Sequence, residues 1–279
     1  MNRRHAGSVA LAVFCAARTA SADACAALTP EAARPVQLAT LPGGLGRLPM
    51  ACATTELGLD STAALLVATE DFYGSIQVGE MLAGSFALGP GAWMSFVLPG
   101  LDYRWVANAT IEAGEVDLGA GSLGWHRGWP LGPNTAVSSY LRLLLPTETA
   151  YRHATRYGFE HGVVGTSRLG SRFALVGGVS FPTLLVAGPG TVHASYQPTI
   201  GSDLVVTPAA WFSAAAGAGL RWRFGDDAAF ESFDPRLALR FFPWRGSRVE
   251  VAAAAPLAGA DRTDVILGLS LGWIWEGAR

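Results

Sequence analysis

The feature that most constrains this sequence is a long segment near its C-terminal end in which the side chains alternate in character. Between Asp264 and Glu276, every second position is apolar, namely Val265, Leu267, Leu269, Leu271, Trp273 and Trp275. Most positions between them are small or polar, with Ile266 and Ile274 as exceptions. Because successive strand side chains point to opposite faces, the alternation predicts one long strand with one apolar face. A length of about 11 to 13 residues is typical of a tilted transmembrane strand.

The same alternation recurs from about residue 61 onward and predicts twelve strands, with ten or fourteen as alternatives. The predicted spans are 61–70, 74–88, 92–106, 114–127, 134–146, 155–168, 171–185, 191–200, 204–224, 235–243, 247–256 and 263–276. Only 15% of the residues are charged, which is low for a soluble globular protein. In lipid, strands must form a closed barrel, because an open sheet edge leaves backbone groups unpaired. We therefore predict an all-β, antiparallel, up-and-down transmembrane barrel over residues 61–279, with a soluble all-β fold as the alternative.

The connections between the predicted strands alternate in length. Tight turn signals follow every second strand, at 88–91, 131–134, 169–171, 201–203 and 244–247, and most of the intervening connections are longer. Outer-membrane barrels have short periplasmic turns and longer external loops. This parity predicts an even number of strands and two periplasmic termini. Four acids in one predicted outer loop, Asp226, Asp227, Glu231 and Asp234, could bind divalent cations or be solvated.

The N-terminal segment is typical of a secretory signal peptide over residues 1–22. Arg3 and Arg4 precede a short apolar stretch, and Ala20-Ser21-Ala22 is a cleavage signal. Residues 23–60 then form a Pro-rich leader, which could be periplasmic or lie in the lumen. Cys25 and Cys52 remain after cleavage and could form one disulfide in an oxidising periplasm, with two free thiols as the alternative.

The inward face of the predicted barrel carries charged side chains, since charges at membrane depth must face water or a partner. The lumen-lining candidates are Arg142, Arg172, Arg221, Arg223, Arg236, Arg240, Glu80, Glu115, Asp117 and Asp264. The arginines and acids either pair across the lumen and plug it, or form a pore biased toward anionic or amphipathic solutes. Trp93, Trp222, Trp273 and Trp275 are predicted members of the aromatic girdles, and Trp273 and Trp275 of a terminal assembly signal.

Catalytic and metal-binding patterns are weak. The histidines are scattered, and no spacing typical of a metal site occurs, so neither a metal nor a cofactor is expected. Ser139 could act as a nucleophile with His126 as its base, although the parity of Ser139 directs it toward lipid. An outer-membrane lipid hydrolase is therefore the third hypothesis, and the main expectation is that the protein is not an enzyme.

Several segments in order resemble a known group. They are Leu98-Pro99, Glu115-Val116-Asp117-Leu118-Gly119-Ala120-Gly121, Leu143-Leu144-Leu145-Pro146-Thr147, Val176-Gly177-Gly178-Val179 and Ala216-Gly217-Ala218-Gly219-Leu220. This order resembles small outer-membrane barrels of the phenol-degradation meta-pathway transporter type, distant relatives of long-chain fatty-acid channels. The resemblance covers about residues 74–276 and implies passive uptake of small hydrophobic or aromatic compounds.

The sequence therefore predicts a passive channel for small hydrophobic, aromatic or anionic solutes in the outer membrane of a Gram-negative bacterium. The second hypothesis is a structural or adhesive barrel with a plugged lumen. The expected partners are outer-membrane lipid, the barrel-assembly machinery and a small solute. The near-neutral net charge of −2 gives no support for nucleic-acid binding.

Overall fold

A computed structural model describes residue 52 and residues 55–68, 73–89, 91–107, 112–119, 121–147, 155–188, 191–225, 228–258 and 265–274. Within these residues, regular structure consists of β-strands. Over the same ranges, no helix has the length and apolar character needed to cross a membrane. The predicted signal peptide and most of the predicted leader lie outside the described residues.

Fifteen strand segments make up one antiparallel sheet. Their bounds are β1 Glu56–Ala68, β2 Tyr73–Gly89, β3 Ala92–Leu98, β4 Leu101–Ala107, β5 Glu112–Leu118, β6 Gly121–Gly132, β7 Thr135–Leu145, β8 Thr155–Arg168, β9 Phe173–Gly188, β10 Thr191–Tyr196, β11 Thr199–Ala209, β12 Phe212–Arg223, β13 Ala229–Phe241, β14 Ser247–Ala254 and β15 Val265–Ile274.

The sheet closes into a barrel because β1 pairs with both β2 and β15. Three barrel strands are interrupted. Segments β3 and β4 both pair with β2, segments β10 and β11 both pair with β9, and β5 and β6 continue the pairing of β4 and β3. The fifteen segments therefore form twelve barrel strands, which confirms the predicted closed antiparallel barrel and its strand number. The first strand begins at Glu56, five residues before the predicted start, so Glu56 belongs to the barrel.

The tight connections lie at the same end of the barrel as the start of β1 and the end of β15, because the strands are antiparallel and even in number. Four of the predicted tight turns are confirmed, but the turn predicted at 201–203 is wrong. These residues lie inside β11, where each is paired with both β9 and β12. The chain instead turns at Ala210–Trp211. That turn contains neither Gly nor Pro, so its sequence carries none of the usual signals.

The two faces of the barrel wall differ in the way that the alternation predicts. In β15, Leu267, Leu269 and Trp273 are exposed on the outside, whereas Ser270 is buried on the inside. Exposed Leu, Val, Phe and Trp side chains cover the outward positions of most other strands. The buried charged side chains all occupy inward positions. Such an apolar outer wall with a polar inner wall is the arrangement that a lipid bilayer requires.

Candidate functional site in the barrel lumen

Inward charged side chains that the structure describes form three groups of ion pairs, the first of which lies on β7 and β8. Arg142 Nε donates to Glu160 Oε2 at 3.0 Å, and a second guanidinium nitrogen, Nη2, also contacts this carboxylate. Tyr140 donates its hydroxyl hydrogen to Glu160 Oε1 at 2.5 Å. All three side chains are buried. The carboxylate therefore accepts hydrogen bonds on both oxygens, and its charge is compensated inside the wall.

The second group begins with a two-point contact between β13 and β11. Arg236 Nε donates to Asp203 Oδ1 at 2.7 Å, and Arg236 Nη2 donates to Asp203 Oδ2 at 3.1 Å. The contact passes over β12 at Gly217, where an added Cβ would lie 2.3 Å from Asp203 Oδ1. A side chain at this position would displace the carboxylate. The glycine is therefore needed so that two strands separated by a third can share an ion pair.

The same group continues toward the end of the barrel with the longer connections. Glu231 is buried between two arginines, 3.3 Å from Arg223 Nε and 3.7 Å from Arg221 Nε. Arg221 Nη2 also donates to Ser232 Oγ at 3.2 Å, and that hydroxyl donates to Asp234 Oδ2 at 2.8 Å. The placement of Glu231 and Asp234 in an outer loop is therefore wrong. Strand β13 begins at Ala229, and both acids occupy the inner wall.

The third group joins β13 and β14 to the first strand. Arg240 Nε donates to Glu250 Oε2 at 2.6 Å, and Arg248 Nη1 donates to the same oxygen at 3.2 Å. Arg248 Nη2 reaches across β15 and donates to Glu56 Oε1 at 3.0 Å. It passes over Gly272, where an added Cβ would lie 2.9 Å from Arg248 Nη2. This contact therefore ties the two strands that flank β15 at the closure of the barrel.

These ion pairs join equal numbers of basic and acidic side chains. The arginines are Arg142, Arg221, Arg223, Arg236, Arg240 and Arg248, and the acids are Glu56, Glu160, Asp203, Glu231, Asp234 and Glu250. Each positive charge lies within 4 Å of a negative charge. The group as a whole therefore carries no net charge and gives the lumen no bias toward anions.

A stack of rings lines the inner wall beside the first group. Trp93 and His126 are nearly parallel, with ring centroids 5.0 Å apart, and His126 stacks on Tyr140 at 5.7 Å. The structure therefore places Trp93 inside the barrel and not in the outer girdle where the sequence predicted it. Trp93 shares the inward parity of Ser95, whereas Leu98 of the same strand faces outward.

The pair proposed for catalysis is separated by the barrel wall. His126 pairs in register with Tyr140 and faces inward, whereas Ser139 pairs with Arg127 and faces outward. The hydroxyl that contacts His126 belongs to Ser95, whose Oγ lies 2.7 Å from Nε2. His126 Nδ1 is buried without a hydrogen-bond partner, so no carboxylate orients this ring. A Ser139–His126 hydrolase is therefore excluded by geometry.

An apolar belt occupies the inner wall next to Tyr140, which belongs to the same cluster of buried residues. It consists of Val164, Ala174, Val176, Val205, Ala215, Ala238 and Ala252 and is contiguous across β8, β9 and β11 to β14. Each member is at most 3% exposed. Opposite walls of a twelve-strand barrel are roughly 20 Å apart, which is too far for Ala and Val side chains to meet across the lumen.

The other predicted lumen residues fall in different places. Arg172 is exposed in the turn between β8 and β9, and Glu80 is exposed on the outward parity of β2, so neither lines the lumen. Glu115 of β5 is exposed, but its register with Arg104 of β4 and Gln77 of β2 places it on the inward parity, as the sequence predicted. Asp117 belongs to the same strand, in register with Asp102. Asp264 lies outside the described residues.

The predicted girdle and disulfide residues are partly described. Trp273 is 44% exposed on the outer wall, and Trp222 packs edge-on against Phe230 with ring centroids 6.0 Å apart. Cys52 is buried and disulfide-bonded. Cys25 and Trp275 lie outside the described residues, so pairing of Cys25 with Cys52 stays a prediction.

The sequence reasoning missed most of the acids and one arginine of the lumen. On β14, Arg248 and Glu250 are two positions apart and therefore share one face of the strand. The side-chain alternation of this segment could have identified both as lumen residues. Asp203 lies within the segment 201–203, whose sequence predicts a turn, so the pattern does not place it in the lumen. Glu160 is flanked by Gly158 and Gly162 on the inward parity of β8, and this charged position within a small-residue face could have been found.

The fold is shared with several solved outer-membrane barrels. An outer membrane channel from Pseudomonas putida F1 superposes with a TM-score of 0.58 at 15% identity, covering 85% of this chain and 100% of that one. The beta domain of a Bordetella autotransporter gives a TM-score of 0.53 at 11% identity, covering 80% and 100%. The translocator domain of autotransporter NalP from Neisseria meningitidis gives 0.51 at 9% identity, covering 80% and 89%.

At the level of sequence, no protein-family model matches the chain, and no curated protein matches it. The solved structures are below 25% identical to this chain, so they establish its architecture and leave its activity to the site itself. The chain has the fold of outer-membrane β-barrel channels and translocator domains.

Proposed function

We propose that this protein is a passive outer-membrane channel for small hydrophobic or aromatic solutes. The observation that carries the proposal is the lumen wall, which combines charge-balanced ion pairs with an apolar belt and a ring stack. Apolar and aromatic surface inside a barrel suits solutes of the same character. In this proposal both termini are periplasmic, the longer connections face outward, and the barrel-assembly machinery inserts the protein into the outer membrane.

The balance of charge in the lumen favours one of the solute classes that the sequence left open. An anion-selective pore needs arginines that are not matched by acids. Here each of the paired arginines faces a carboxylate, so the attraction to an anion is largely cancelled. The proposal therefore retains hydrophobic and aromatic solutes and gives up the anionic class.

Single-channel recording and uptake by proteoliposomes test the proposal. The refolded protein is expected to show a small conductance with similar permeability for K⁺ and Cl⁻. It should also accelerate entry of a small aromatic alcohol more than entry of a sugar of similar mass. Equal rates for both solutes would refute the hydrophobic class, and absence of both conductance and uptake would refute the channel.

The second candidate is a structural barrel whose lumen is filled by its own leader. It is favoured by the burial of the apolar belt. Because the opposite wall is too far away to contact these small side chains, other atoms in the lumen must shield them from water. The buried Cys52 and the inward Glu56 bring the chain into β1 at the rim with the tight turns. Deletion of residues 23–51 separates the candidates. A conductance that appears only after deletion favours the filled barrel, and an unchanged conductance favours the open channel.

A further inference from the structure

Among the side chains that the structure describes, the outward wall contains one arginine, Arg127, that no side chain compensates. Arg127 lies on β6, and its parity places it on the outside with Trp125 and Trp129. Its Nε is buried and has no hydrogen-bond partner, and it forms no ion pair with any described residue. Among the outward strand side chains that the structure describes, Arg127 and Glu80 are the two that carry a charge. An ionised group facing lipid requires a partner, because an isolated charge in hydrocarbon is costly.

A hydroxyl lies directly beside this guanidinium. Ser139 of β7 is paired in register with Arg127 and therefore points to the same outer face. Directly paired residues have Cβ atoms about 5 Å apart, which leaves space for one ligand atom group between the two polar ends. The other register neighbour of Arg127 is Ala92, whose side chain has no polar group that could compensate the guanidinium. Neither the Arg127 nor the Ser139 side chain donates a hydrogen bond within the part of the chain that the structure describes.

The height of this pair matches a membrane interface. The height of a residue along the barrel axis follows from the strand register, a rise of about 3.3 Å per residue, a strand spacing of about 4.8 Å and the tilt of the strands. On this basis Arg127 lies within roughly 5 Å of the height of Trp273 and Phe241. Those exposed rings, with Trp211 and Trp244, form an aromatic band near the tight turns. Aromatic bands of barrels lie at the level of lipid headgroups.

We propose that Arg127 and Ser139 bind the phosphate of a phospholipid in the leaflet that surrounds the tight-turn end of the barrel. The guanidinium supplies two donors and the positive charge, the hydroxyl supplies a third donor, and Trp125 and Trp129 contact the lipid on either side. Arginine pairs with phosphate through parallel N–H donors, which makes it better suited to this ligand than a point charge. The site needs the barrel and its membrane, but it does not depend on whether the lumen conducts.

Native mass spectrometry of the refolded full chain in detergent tests the site. The probes are dioleoyl phosphatidylglycerol and dioleoylglycerol, which share their acyl chains and differ in the phosphate headgroup. The native protein should bind the phospholipid at least tenfold more tightly, as expected for a charge-assisted contact. Arg127→Gln should lose about tenfold in phospholipid affinity, and Ser139→Ala about threefold. Binding of dioleoylglycerol should be unchanged in both variants.

Two further variants control for charge and folding. Arg172→Gln removes one positive charge from an exposed turn at the same end, and it should bind the phospholipid as the native protein does. Arg127→Lys keeps the charge and should retain affinity to within about threefold. If Arg127→Gln does not reach the folded gel mobility, Ser139→Ala provides the test, and an unchanged phospholipid affinity in that variant overturns the proposal. The proposal is overturned if Arg127→Gln binds like the native protein, if Arg172→Gln loses as much, or if the native protein does not discriminate between the two lipids.

Discussion

Replacing Arg236 by Met isolates the energetic role of a lumen ion pair. The substitution keeps the length of the side chain but leaves Asp203, which is 1% exposed, without its two-point partner. Removing one member of a buried pair costs about 3 to 5 kcal/mol, because the other charge stays buried without compensation. Arg236 is 13% exposed, so some solvent screening remains, and we expect the lower value of about 3 kcal/mol.

The free energy of unfolding is measured by urea titration of the barrel in lipid vesicles, with the folded fraction read from the mobility of unboiled samples on gels. With a slope of about 1.5 to 3 kcal/mol per molar urea, the loss lowers the midpoint by roughly 1 to 2 M. Arg223→Met is the matched control. Its side chain is 42% exposed and contacts Glu231 at 3.3 Å, so the expected loss is below about 1 kcal/mol.

A second substitution tests whether the buried charge of Asp203 is the cause of the lost stability. Adding Asp203→Asn to Arg236→Met removes the carboxylate charge, and the double variant should be more stable than Arg236→Met alone by about 2 kcal/mol. The reasoning is refuted if the double variant is the less stable of the two. It is also refuted if Arg236→Met costs no more than Arg223→Met.

Three further results are expected. Gly272→Val should displace Arg248 from Glu56 and lower the free energy of unfolding by about 1 to 3 kcal/mol, whereas Gly219→Ala, whose added Cβ would have 3.5 Å clearance, should cost less. The urea titration checks both, and equal losses would contradict the packing argument. Leu269→Arg, on the middle of the outer wall, should cost about 2 to 4 kcal/mol in vesicles, and Leu131→Arg beside a turn about 0 to 1 kcal/mol; the reverse order would place the membrane elsewhere. Glu160→Gln should shift the reversal potential in a KCl gradient toward anion selectivity and Arg142→Gln toward cation selectivity, and two unchanged potentials would remove this pair from the conducting path.

The lumen site could be predicted only in part. The sequence indicates which face of the wall a side chain occupies, but it does not indicate which charged side chain is its partner. The alternation identified Arg142, Arg221, Arg236 and Arg240 as candidate lumen residues, and the structure gives each an acidic partner. The partners lie 10 to 33 positions away in sequence. They are set by the register between strands, which no local pattern reports.

Trp93 shows a second limit of reasoning from residue type. Tryptophan is common in aromatic girdles, and this preference suggested the outer wall for Trp93. The parity of β3 decides otherwise, because Ala87 and Trp93 are paired on the inward side of β2 and β3. A residue preference of this kind amounts to fractions of a kcal/mol and yields to the register of a whole strand.

The amino-acid pattern alone predicted the class of fold, a barrel of twelve strands with ten or fourteen as alternatives, and the end at which most tight turns lie. These follow from side-chain alternation, which is a local property of each strand and is imposed by the geometry at Cβ. The interruptions of the strands, the course of β11 through Gly201 to the turn at Ala210–Trp211, and the pairing of the charges follow from tertiary contacts. The same contacts leave Arg127 Nε without a hydrogen-bond partner among the described residues. These features depend on contacts between strands that are distant in the chain, whose energies are set by register and closure around the whole barrel.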